Sequence, residues 1–242
     1  MKAISNLVRY QLELYFKGSR FVMPFVVMTA FLFTLYSVKP VDIVDGFSVT
    51  CYLVFFIMVW IGQGLVSSEN TVMEQIQLLR VKRDWVYYLG QVVFLFVLGL
   101  MADVFCLALP FVLNLVNHGE LFTRTLTGLD MLNGFLLFCA CSSAGGALGS
   151  LLHPRVMRDR KTAMVLTLLA ALVSMTRIVL VRKIPVLKWG IWIFPPLDEI
   201  TMVYGGEKIF QIVRTGKIFL IFMIYGVVYS LIKSVICQRK KF

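Results

Sequence analysis

The stretch Cys139-Ala-Cys-Ser-Ser-Ala-Gly-Gly-Ala-Leu-Gly-Ser150 lies inside an apolar run, and the basic stretch His153-Pro-Arg-Val-Met-Arg-Asp-Arg-Lys161 follows it. Lipid tails are as apolar as leucine, so helices in a bilayer gain little by hiding Leu. They gain more by close van der Waals approach through small residues. Gly145-x-x-x-Gly149 and Ser142-x-x-x-Gly146 set small side chains one helical turn apart. Ser142, Gly145, Gly146 and Gly149 are therefore the expected helix-packing face of a membrane span.

Composition supports the same environment. Hydrophobic residues fill 59% of 242 positions, against roughly 45–50% in a soluble domain, and the mean hydropathy is +0.84. A soluble protein is excluded. The net charge of +11 does not indicate nucleic acid, because the Lys and Arg residues cluster between apolar runs and do not form one water-facing surface. That placement suits cytoplasmic membrane margins and anionic head groups. The five cysteines, at positions 51, 106, 139, 141 and 237, show neither a disulfide framework nor zinc spacing. Buried free thiols are expected.

Residues 1–20 place Ile4, Leu7, Val8, Leu12, Tyr15 and Phe16 on one helical face, with Lys2, Arg9, Glu13, Lys17 and Arg20 among the residues of the other. Such a helix lies in the head-group plane and leads into the first span. Six apolar runs then approach the ~20 residues a transmembrane helix needs, near 21–38, 48–68, 88–113, 129–152, 162–181 and 217–236. The expected fold is an all-α integral membrane protein. It has an interfacial amphipathic helix over 1–20 and a six-span domain over 21–242.

Fifteen of the 24 lysines and arginines fall in the N-terminal segment, the loops after spans two and four, and the C-terminal end. By the positive-inside rule both termini are cytoplasmic. The connection over 182–216 is long and apolar, and contains Trp189-Gly-Ile-Trp-Ile-Phe-Pro-Pro-Leu197. It is too short to span and is broken by prolines, which predicts a re-entrant or interfacial helix pair before the last span. Trp189, Trp192, Phe194, Pro195 and Pro196 are the candidate outer gate.

Catalytic and metal motifs are not visible. There is no H-E-x-x-H, no G-x-S-x-G, and no phosphate loop, since Gly216-Lys217 lacks the upstream glycine and the hydroxyl. No catalytic or metal-ligating residue is expected. Asp103 and Arg177 each lie 15 residues into a span that runs outward, so both sit ~22 Å from the inner margin at ~1.5 Å per residue. An isolated charge at that depth is unfavourable. Two arrangements relieve it: the two pair or share one polar cavity, or Arg177 snorkels to the outer head groups while Asp103 bonds a neighbouring hydroxyl.

The order of a basic amphipathic helix, six spans, a charged helical loop after span two and a long apolar outer loop before span six resembles the membrane subunit of an ATP-binding cassette exporter, of the type-2 permease family. The resemblance covers essentially the whole chain. It implies that the stretch Glu69 to Asp84 is a coupling helix docking on a separate ATPase subunit. Glu69, Val72, Glu74, Ile76, Leu79 and Arg80 would form its contact face. Family members often carry a glycine after the acidic residue and a proline near the end of this stretch, and this chain has neither.

The resemblance further implies a homodimer of permeases in a bacterial plasma membrane, joined to two ATPases that hold the ATP and Mg. This chain itself would carry no cofactor and would not be an enzyme. Its function would be outward movement of a hydrophobic or amphipathic substrate, a peptide or lipid-like molecule, by alternating access. Two other functions stay open: an ion-coupled secondary carrier, and a non-transporting immunity or scaffold protein.

Overall fold

The computed structural model describes residues 2–68, 75, 77–78, 84–152 and 159–239. Among the described residues eight α-helices are bounded: α1 Lys2–Lys17, α2 Val22–Leu35, α3 Ile43–Ser68, α4 Asp84–Val116, α5 Gly128–Leu151, α6 Arg160–Lys183, α7 Asp198–Tyr204 and α8 Ile212–Arg239. Two 3-10 turns, Pro185–Trp189 and Ile191–Ile193, stand between α6 and α7. Five helices, α3, α4, α5, α6 and α8, are long and apolar enough to cross a bilayer. The chain is a multi-pass, all-α membrane protein.

The first expected span, 21–38, takes a different form. It is α2, 14 residues and therefore ~21 Å long, short of the ~30 Å hydrocarbon core. Ser19 adopts a left-handed φ of 54° just before it, and α1 and α2 meet at a bend of 74°. Only taken together do the two helices reach spanning length and apolarity. The apolar face of α1 is also used differently from a helix lying on lipid alone. Leu7 and Val8 are buried, and Leu7 packs so tightly on α4 that a Cβ at Gly90 would stand 2.2 Å from its Cδ2.

The element ends are explained by local chemistry. Asp42 Oδ1 accepts from the Val44 N–H at 2.9 Å at the start of α3. Thr127 and Asp130 form a reciprocal capping box on α5, which satisfies N–H groups that have no partner within the helix. Asp159 accepts from the N–H groups of Lys161 and Thr162 on α6. Past the end of α4, His118 and Gly119 adopt left-handed φ values of 53° and 87°. The Gly119 N–H then returns to Asn114 O at 2.8 Å, closing the last turn.

The bundle is built around α5. Sixteen of its 24 residues are buried, and it packs on α3, α8 and α4. The seam with α3 is backbone against backbone. A Cβ at Gly145 would stand 2.5 Å from Phe55 O, one at Gly149 2.2 Å from Val59 O, and one at Gly62 of α3 2.6 Å from Gly146 O. Phe55 and Val59 are one turn apart, as are Gly145 and Gly149, so the two helices run parallel in matching register. The small-residue stretch thus works inside the molecule.

At the end of the bundle where α4 finishes and α5 begins, the loops are joined. Val41 N–H donates to Leu121 O at 2.9 Å and Thr123 N–H to Val41 O at 3.0 Å. Arg124 forks onto Asp130 at 2.6 and 2.7 Å and also donates to Lys208 O at 3.1 Å. The loops before α3, before α5 and before α8 are therefore held as one unit.

The seam makes a direct prediction. Gly149→Ala and Gly145→Ala force α3 and α5 apart, and each should cost about 1–3 kcal/mol in detergent-solubilised unfolding. Gly64→Ala, where an added Cβ meets nothing within 4 Å, should leave stability unchanged or slightly raised.

Candidate functional site

The polar centre of the bundle lies where α4 crosses α5. Gly99 permits the approach, since a Cβ there would stand 3.0 Å from Ser142 Oγ. One turn further along α4, Asp103 is fully buried and its Oδ2 accepts from Ser142 Oγ at 2.8 Å. Ser142 Oγ also lies 3.1 Å from Cys139 O. The other carboxylate oxygen, Asp103 Oδ1, is buried without a hydrogen-bond partner.

Asp103 and Arg177 do not pair. Asp103 takes a hydroxyl as its partner, while Arg177 lies 4.0 Å from Glu199 at the far end of α6. The depth estimate placed both residues at a similar level, but depth does not fix which way a helix turns. Asp103 points to α5, and Arg177 lies where α7 packs on α6.

Around Arg177 stand two carboxylates of α7. Asp198 Oδ2 accepts from the Ile178 N–H at 2.6 Å. Burial pushes the Asp198 carboxyl above the ordinary carboxylate range, with the Ile178 N–H and then Arg177 pulling it back. Burial likewise raises Glu199, and Arg177 opposes that shift. Tyr52 of α3 and Thr201 share a hydrogen bond of 3.0 Å, which fastens α7 to the bundle.

The proline-broken segment is short and docked. Trp189 and Trp192 are exposed, at 87% and 64%, as suits side chains that favour the membrane interface. Phe194 is half-buried, and Pro195 and Pro196 are buried. Tyr225 and Tyr229 of α8 donate their hydroxyls to the carbonyls of Trp192 and Ile193. The candidate gate residues are thus moored to the last span.

A groove of about 460 Å³ opens between α4, α5 and α8. Its walls are apolar, with Trp85, Leu89 and Phe96 on one side and Met223, Val227 and Leu231 on the other. Ser142 and Ser143 form part of its lining, and Asp103 stands behind Ser142. The groove offers hydrocarbon contact along its length and hydroxyls at α5.

Two polar contacts went unforeseen in the sequence. Lys233, counted there among the margin charges, is 2% exposed and donates to Gln91 Oε1 at 2.7 Å. Its helical position carried the signal, because it shares the buried stripe of α8 with Gly226, Tyr229 and Cys237. Thr167 Oγ1 donates to Gln63 Oε1 at 3.0 Å, joining α6 to α3.

Of the other predicted residues, Ser142, Gly145, Gly146 and Gly149 are gathered on the α5 face. The coupling residues Glu69, Val72, Glu74, Ile76, Leu79 and Arg80 lie outside the described residues. Among the described residues no group of three or more His, Cys, Asp or Glu side chains could hold a metal ion, and the five cysteines are buried and form no disulfide. Comparison with known protein families, curated proteins and solved structures finds no match.

Separate partners imply independent effects. Asp103→Asn and Arg177→Gln should add within ~0.5 kcal/mol in a double-mutant cycle, read by unfolding in detergent. Arg177→Gln combined with Glu199→Gln should show coupling instead.

Proposed function

We propose that this chain is the membrane subunit of an ATP-driven exporter of the type-2 permease kind, working as a pair with a separate ATPase. One observation carries the reading. The segment between α6 and α8 is too short to cross, is broken by buried prolines, and is bound to the last span through Tyr225 and Tyr229. An interfacial first helix and an outer broken segment before the last span are the two features that the resemblance demands together.

The apolar groove between α4, α5 and α8 supports a hydrophobic or amphipathic substrate, because a sugar or an inorganic ion would find few partners on its walls. Movement of substrate requires two bundle states, each favoured by different nucleotide contacts in the partner. In this reading that partner holds the ATP and Mg, which is consistent with a sequence that shows no phosphate loop. The outward face of α6, with Leu168, Leu169 and Leu172 exposed, offers area for lipid or for a second permease. Both termini are cytoplasmic in this reading, in which the short α2 makes the sixth crossing through a locally thinned bilayer, and the membrane is a bacterial plasma membrane.

An ion-coupled carrier is the second reading, favoured by Asp103, a buried carboxyl within the spans. Energy source separates the two. Purification of the chain from its native membrane should bring an ATPase with it, and Ile76→Asp should reduce the yield of that ATPase by placing a charge on the apolar stripe, at a cost of a few kcal/mol. Undiminished ATPase yield from the variant, or transport that runs on a proton gradient without ATP, overturns the exporter assignment.

A further inference from the structure

A second cavity lies apart from the groove, in the crook where α1 turns into α2. It measures about 390 Å³, within the ~300–1,000 Å³ of small-molecule sites. Tyr15, Trp60 and Phe94 give it a wall suited to hydrocarbon. Its polar side is incomplete. Gln11 is 8% exposed, and among the described residues its Oε1 is buried without a hydrogen-bond partner; Gln77 Oε1, also in the lining, has none there either.

A buried amide oxygen lacking a donor is unfavourable, so two in one cavity ask for a ligand that brings O–H or N–H groups. Arg20 lines the same cavity and has no acidic partner among the described residues. The first turn of α2 reaches it too, through Met23 and Pro24, and Phe21 gives that helix end no side-chain cap. The Val22 N–H is already bonded to Ser19 O and Pro24 has no N–H, so it is the Arg20 cation that favours an anion here. The cavity therefore combines an apolar wall, a cationic edge and unmet acceptors.

We infer that this cavity binds a glycerophospholipid whose head group carries hydroxyl or amine hydrogens. The phosphate belongs on Arg20, the donors on Gln11 and Gln77, and the upper acyl chain against Trp60 and Phe94. An amphipathic α1 in the interface places the cavity at head-group depth. Choline lipids are disfavoured because their head group has no donor. The inference does not rest on the exporter reading, since any chain with α1 so placed would meet the same lipid.

The test uses the full chain in detergent, with dioctanoyl phosphatidylglycerol, dioctanoyl phosphatidylcholine and glycerol 3-phosphate as probes, read by native mass spectrometry and thermal shift. Phosphatidylglycerol should bind saturably and more tightly than phosphatidylcholine. Arg20→Gln should weaken it about fivefold, and Gln11→Leu should bring its binding down to the phosphatidylcholine level. Arg9→Gln, on the exposed face beside Glu13, should change nothing. Equal binding of the two lipids, unchanged binding by Arg20→Gln, an equal loss with Arg9→Gln, or full replacement by glycerol 3-phosphate would each overturn the lipid site. Arg20 is exposed, so its variant decides the matter even where Gln11→Leu fails to fold.

Discussion

The backbone contact between α3 and α5 is the constraint on which the rest of the bundle depends. Between helices in lipid there is little hydrophobic driving force, so affinity comes from how closely two backbones approach. Gly62, Gly145 and Gly149 each allow an approach that a single methyl group would block. Once α3 and α5 share a register, Ser142 is fixed at one height and one angle. The positions of Asp103, the groove floor and the loops before α3, α5 and α8 follow from that placement.

Polar side chains then tie the other helices to this pair. Asp103 and Ser142 join α4 to α5, Gln63 and Thr167 join α3 to α6, and Gln91 and Lys233 join α4 to α8. Such hydrogen bonds contribute modestly in a bilayer, roughly 0.6–2 kcal/mol each. Their directionality matters more, since each holds a helix at one rotation about its axis. The contacts are few between α4 and α8, and there the groove opens.

Much of this was legible in the residues. The apolar runs located the five spanning helices, because length and hydropathy alone decide what a bilayer accepts. The small-residue stretch marked a close-packing helix face, but not that its helix stands at the centre of the bundle against the α3 backbone. The 21–38 run was misleading: hydropathy measures composition, while its length as a helix was set by the left-handed turn at Ser19 and the chain reversal beyond Leu35. That Asp103 would bond a neighbouring hydroxyl was one of the two arrangements expected, but which hydroxyl, Ser142, was hidden. Depth along a helix is readable from residue number, but rotation depends on which neighbour offers a small enough face. Gly99 supplied that information only once α4 and α5 were seen side by side. Lys233 shows the same limit from the other direction, as a charge whose helical stripe outweighed its place in a basic tail.

The length of α4 has a further consequence. Its apolar stretch, Trp85 to Val116, runs 32 residues, or ~48 Å at 1.5 Å per residue, against a hydrocarbon core of ~30 Å. Tilt of up to ~40° removes part of that excess, and the remainder thickens the bilayer locally or lifts the helix end clear of it. Leu115 and Val116, exposed at 61% and 68%, sit at that end beside the joined loops before α3, α5 and α8. Hydrophobic mismatch along this one helix thus makes the lipid composition of the host membrane a determinant of where the protein resides and how that end of the bundle stands above the surface.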